Sequence, residues 1–266
     1  MSIKVLFLGE IVGKPGITCV KEALRSLKQE RSIDLVIANA EGATGGFGIG
    51  KGHSMQLLKQ GIDILTGGEK IYYKLDMVDF IDTNPAILRP ANYPQQNPGR
   101  GMRYVEVGSQ KVCIINLLGN ADFPRTHLTN AFSLAAHLTD QAIAEGAVVL
   151  VQFHASPTAE KLAMGHMLAG KAAAIIGTHS KVLSADAQIL EGGTAYITDN
   201  GRCGSQSSVG GFAPQPEIEK LVTALPIRSQ EWWQDLELVG VLVHIDDAGK
   251  ATAIETIRIP VGGEQE

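Results

Sequence analysis

Short apolar runs alternate along the chain with segments whose apolar positions recur at three- and four-residue spacing, the pattern of an α/β fold. Residues 3–8 read as a buried strand. A helix over 16–28 follows, with Val20, Leu24 and Leu27 on one face. Residues 35–38 and 62–65 read as further strands, with helices near 52–60 and 74–81. Runs at 112–117, 148–153, 172–176 and 195–198 continue the series. Toward the C-terminus, 238–245 and 252–259 flank Asp247-Ala248-Gly249-Lys250, a hairpin signal. This pair is expected to build a second, antiparallel-rich sheet. The stretch 84–130 is less regular and carries Pro85, Pro90, Pro94, Pro98 and Pro124. It is expected to form a small cap inserted into a single domain spanning 1–266. The tail 261–266 is polar and expected to fray.

Composition narrows the function classes. A chain of 266 residues, 44% apolar, can bury one large core. Thirty glycines point to tight turns and close backbone approaches rather than to a helical bundle. A net charge of −5 argues against general nucleic-acid binding and leaves room for a local phosphate site. Cys19, Cys113 and Cys203 form no CxxC pair, so they read as buried fillers in a reducing, cytoplasmic setting. The N-terminal run is too short for a signal peptide, and no apolar run reaches the ~18 residues of a membrane span.

The informative positions are those that follow the strands. Strand ends deliver Glu10, Glu41, Glu69, His154 and His179. In open α/β sheets the carboxyl edge is where ligands bind. A Glu after a strand is ordinarily a cap or a loop charge, and a lone His ordinarily structural. Five such residues at one edge point instead to a metal site with mixed oxygen and nitrogen ligands. His53, His127, His137, His166 and His244 lie away from strand ends and are assigned to surface or structure.

The motifs FLGEIVGKPG (7–16), NAEGA (39–43), LRPANYP (88–94), FHASPTAEKLAMG (153–165), IIGTHSKVLSAD (175–186) and GTAYITDNG (193–201) run nearly end to end. They closely resemble the YmdB-like family of bacterial calcineurin-like metallophosphoesterases. The resemblance implies a four-layer α/β/β/α sandwich of two mixed sheets, a dinuclear metal centre acting on phosphodiesters such as cyclic nucleotides, and a homo-oligomer. By the same resemblance, Glu10 stands where the family has a metal-binding Asp, and Glu41 keeps the bridging Glu. Gly42 and Gly68 replace two Asn residues, the second of them a ligand. Glu69 replaces the general-acid His. His154 and His179 are kept, and Lys181 replaces a second ligand His.

These substitutions set the functional expectations. A two-metal hydrolase clamps phosphate between cations roughly 3.5–4 Å apart. An ammonium group has no lone pair to ligate with. Lys181 is therefore expected to occupy the first metal's seat and to neutralise Glu10 and Glu41. Glu41, His154 and His179 remain as a residual site for one zinc, iron or manganese ion, with Glu69 able to join them. A two-metal centre is not expected. The leading expectation is a catalytically impaired scaffold, regulatory or assembly subunit. The alternatives are a phosphodiesterase or phosphatase with a single or altered metal site, and a nucleotide sensor without turnover.

Overall fold

In a computed structural model of the chain, residues 2–123, 126 and 128–262 are described. The tail beyond 262 and His127 lie outside them. The first half runs β1 (Ile3–Leu8), β2 (Glu10–Ile11), α1 (Gly13–Glu30), β3 (Leu35–Asn39), α2 (Lys51–Lys59), β4 (Ile64–Thr66), α3 (Leu75–Phe80) and β5 (Ile87–Leu88). The middle runs β6 (Met102–Val107), β7 (Gln110–Leu118), α4 (Ala131–Ala144), β8 (Val148–His154), α5 (Thr158–Leu168) and β9 (Ala174–Thr178). The chain then adds β10 (Gln188–Leu190), β11 (Thr194–Ile197), β12 (Arg202–Ser205), α6 (Pro214–Thr223), β13 (Leu236–Ile245) and β14 (Ala251–Val261).

The strands form an eight-stranded sheet in the order β2-β12-β13-β1-β3-β4-β5, with β14 on β13, and a six-stranded sheet in the order β10-β11-β9-β8-β7-β6. Period-two alternation sorts the strand side chains into layers. Leu6, Leu8, Val36 and Ala38 face Val20, Leu24 and Leu27 of α1. Val5, Phe7, Leu35 and Ile37 face Val112, Ile114, Leu150 and Ile176 of the other sheet. Ile115, Val151 and Phe153 face Ala135 of α4 and Met164 and Leu168 of α5. Two mixed sheets packed face to face with helices outside both make the expected four-layer sandwich.

Two expectations are corrected. The stretch 84–130 is not a separate cap. It holds β5, which extends the first sheet beside β4, and β6 and β7, which belong to the second. Pro85, Pro90, Pro94 and Pro98 mark connections between core strands rather than a boundary, and Pro124 lies outside the described residues. The C-terminal hairpin does not found a sheet of its own either. β13 runs antiparallel to β1 from Ile3↔Ile245 to Leu8↔Gly240, in the interior of the first sheet. All three cysteines are buried. Among the described residues no helix is long and apolar enough to cross a membrane.

Candidate metal and phosphate site

Parallel strands β1, β3 and β4 of one sheet and β8 and β9 of the other end at a common crevice. The register explains who meets whom. His154, the last residue of β8, lies opposite Thr178, the last residue of β9. Its Nδ1 is accordingly 2.9 Å from the Thr178 hydroxyl, with the Asn39 amide nitrogen at 3.3 Å. Its Nε2 faces outward, 3.0 Å from Glu69 Oε2 and 3.2 Å from His179 Nδ1. The ligand atoms of Glu69, His154 and His179 all lie within 4.8 Å of one another. Phe123 covers the pair, stacked on His154 and edge-on to His179.

Glu41 was expected to be the third ligand beside the two histidines, and the structure places it otherwise. It is fully buried. Its Oε2 accepts from the Gly68 amide at 2.5 Å, and its Oε1 accepts from the Lys70 amide. Both oxygens are thus spent on tying the loop after β4 to the end of β3. Nor does Glu41 pair with Lys181. Lys181 Nζ lies 3.3 Å from Glu10 Oε1 alone, and the Glu10 oxygens receive no hydrogen bond from the described residues.

A residue the sequence reading missed completes the charge pattern. The Lys70 ammonium bonds Glu69 directly. Three carboxylates, Glu10, Glu41 and Glu69, thus share the crevice with two ammonium groups, Lys70 and Lys181. Burial pushes the Glu41 carboxyl up, aided by the Glu69 charge, to about 7 against the pull of the His154 and Lys70 charges and the Gly68 amide. Burial opposes ionisation of Glu69 too, but the His154 hydrogen bond and charge and the Lys70 ammonium outweigh it and hold this carboxyl below its usual range. His154 is raised, since Glu69, Glu41 and Glu10 overcome the effect of burial. Burial, then the charge of His154, lowers His179 to about 4.

Close approaches at two glycines account for two of the altered positions. A Cβ on Gly68 would stand 2.3 Å from His154 Cδ2, and one on Gly42 would stand 2.7 Å from Glu10 Oε1. Gly42 thus leaves room for the carboxylate of the longer Glu10. Gly68 lets the His154 ring lie against the β4 loop. Restoring Asn at 68 on this backbone is therefore blocked by the ring it would join.

The His179–Lys181 turn is held by groups that strand-end reasoning overlooked. His179 has φ +104° and Lys181 φ +61°, both in the left-handed region. Such residues cost about 1–3 kcal/mol each and persist where the surroundings fix them. Asp199 Oδ2 accepts from the Ser180 amide at 2.7 Å and from Lys161 Nζ at 2.9 Å, and Lys161 also bonds the Ser180 hydroxyl at 3.0 Å. Arg202 donates to the Lys181 carbonyl at 2.7 Å. Lys161 shares a helix face with Met164 and Leu168, so a lysine in an apolar register was the available signal.

The donor chemistry fits one divalent cation. A carboxylate and two imidazole nitrogens match a common ligand set with an open position. In the tautomer that carries its proton on Nδ1, toward the Thr178 hydroxyl, His154 presents the Nε2 lone pair. Among the described residues Glu69, His154 and His179 form the converging ligand group; Gly68 offers no side chain, the Glu41 oxygens accept backbone amides, and Lys181 sits against Glu10.

Fold and site together define a metallophosphoesterase-type sandwich. The chain belongs to the family of YmdB-like proteins, whose model matches residues 6–257. A relative from Bacillus subtilis (strain 168), named 2',3'-cyclic-nucleotide 2'-phosphodiesterase, is 37% identical over 97% of this chain and 97% of its own. A solved structure described as a novel phosphatase from Mycoplasma pneumoniae is 33% identical, with a TM-score of 0.90 over 98% of this chain and 94% of that one. A hypothetical protein from Thermus thermophilus is 28% identical, with a TM-score of 0.89 over 97% and 99%. These relatives overturn the leading expectation of a catalytically impaired scaffold. Chains alike from end to end are named phosphodiesterase and phosphatase, and an active phosphodiesterase with an altered site accords with them better.

Proposed function

We propose that the chain is a phosphodiesterase with an altered centre, in which one divalent cation and two lysines do the work of two metals. The substrate class is that of the Bacillus relative, a cyclic phosphodiester of a nucleotide. The observation that carries this is the approach of Glu69, His154 Nε2 and His179 Nδ1 to within 4.8 Å, beside the ammonium groups of Lys70 and Lys181. Those three residues would hold the cation, which when bound supplies Lewis-acid polarisation and a more acidic water. The protein's own groups do the rest. Lys181 offsets the charge of Glu10, and Lys70 that of Glu69 and Glu41. The crevice can then accept a phosphate that three bare carboxylates would repel. Phe123 shields the histidines from solvent. His154 is oriented by Thr178 and Asn39, as ligand imidazoles generally are by their second nitrogen.

The test is hydrolysis of a 2',3'-cyclic nucleotide by the metal-stripped chain, with manganese, iron or zinc added back. Turnover that returns with a metal and disappears in Glu69→Gln is expected. Absence of turnover with all three metals contradicts the proposal. Self-association, implied by the family resemblance, remains a proposal that the particle mass in solution decides.

A further inference from the structure

A second cavity lies one loop away from the crevice. The chain leaves Glu41 and turns through residues 42–48, where the Thr44 and Gly48 amides bond back to Gly48 and Glu41 carbonyls. On the far side of this loop is an open cavity of about 740 Å³, lined among others by Lys14, Phe47, His53, Phe212, Arg228 and Glu231. Nucleotide-sized ligands occupy clefts of ~300–1,000 Å³.

The walls are tied together. Phe212 lies against Gly46, where a Cβ would meet its ring at 2.1 Å. The Ala213 amide bonds the Gln230 carbonyl at 2.8 Å, and Glu231 Oε1 accepts from the Lys14 amide at 2.9 Å, at the start of α1. Glu231 is thereby engaged by backbone. Neither the Lys14 ammonium nor the Arg228 guanidinium has an ion-pair partner among the described residues. Phe47 is 48% exposed, a large apolar ring left toward solvent.

Another cavity, of about 460 Å³, carries Lys111, Lys171 and Lys250. There each ammonium is already answered, by Glu145, by Asp140 and by the Gly170 carbonyl. The cavity beside Phe47 instead joins two unanswered cations to an exposed aromatic face. Stacking is available to any base, and a guanidinium suits phosphate.

We propose that this cavity binds a nucleotide, the base against Phe47 and the phosphate at Lys14 and Arg228. The site does not depend on hydrolysis in the crevice, and its occupant reaches the same 42–48 loop that starts at Glu41.

The experiment is calorimetric binding of adenosine monophosphate to the full chain, with adenosine and inorganic phosphate as separate arms. Adenosine monophosphate is expected to bind more tightly than either part. Phe47→Ala or Arg228→Ala should weaken it roughly tenfold or more, with the melting temperature of each variant confirming that it is folded. His179→Ala should leave this binding in place. Binding lost in His179→Ala but kept in Arg228→Ala assigns the nucleotide to the crevice and overturns the proposal. So does no measurable binding, or equal affinity for adenosine and its monophosphate.

Discussion

The two halves of the crevice meet the same electrostatic demand by different means. Around His154, Glu69 and His179 bring three donors toward one point, with Lys70 beside them. Around Glu10, no such three-ligand group forms among the described residues, and the Lys181 ammonium stands at 3.3 Å. One half can exchange its positive charge with solvent. The other has that charge built into the chain. A covalently attached cation cannot be chelated away, and it cannot lower the pKa of a bound water as a metal does. Catalytic power should therefore reside in the histidine half and charge compensation in the lysine half.

Removing His154 should have the largest effect. His154→Ala takes away a donor and the group facing Glu69. Metal-dependent hydrolysis is expected to fall by about 10³-fold, the several kcal/mol that a Lewis acid contributes. Steady-state kinetics checks this, and a fall below tenfold would place the chemistry elsewhere.

The support beneath both halves is next. Lys161 and Asp199 are each almost wholly buried, and Lys161→Met leaves Asp199 as an uncompensated charge. Chemical denaturation should show a loss of about 3–5 kcal/mol. A change under 1 kcal/mol would mean that the His179–Lys181 turn holds itself.

Lys181→Ala sharpens the comparison most. It leaves Glu10 buried without a counter-charge and should cost about 1–3 kcal/mol, yet leave the histidine half able to bind its ion. Gly68→Asn forces a side chain into the His154 ring and should cost a similar ~1–3 kcal/mol from overpacking. It should weaken the first cation rather than admit a second, as metal content would report.

The smallest effect is on pH. Burial would raise Asp186, but hydrogen bonds from the Ser184 hydroxyl at 2.6 Å and from the Thr198 hydroxyl and amide lower it. A carboxyl lowered on folding stabilises above its unfolded pKa of about 3.9. That contribution is lost as pH falls through the still lower folded value. The native chain should lose more stability than Asp186→Asn between about pH 4 and pH 2. Parallel curves would remove Asp186 from the account.

Much of this arrangement could be read along the chain. Strand β1 falls where its apolar run does, His154 ends β8, and Glu10, Glu41, Glu69 and His179 come just after strands. What could not be read was how the loops spend their polar groups. Glu41 looked like a ligand because it follows a strand and keeps the bridging Glu of the family the motifs resemble, yet two backbone amides bond it. Lys70 follows Glu69 directly, and nothing in a sequence says that adjacent charges will bond each other inside a crevice. Lys161 and Asp199 are far apart in the chain and meet because α5 packs over β9 and β11. The prolines of 84–130 gave the wrong boundary, since proline marks a turn equally well inside a domain and at its edge.

On the proposed function, this centre takes one divalent cation, and the chain itself supplies the rest of the positive charge. Calorimetric titration of the metal-stripped chain with manganese tests it directly. One ion per chain, abolished by His179→Ala and retained by Lys181→Ala, is the expected result. Two ions bound to the native chain would contradict it.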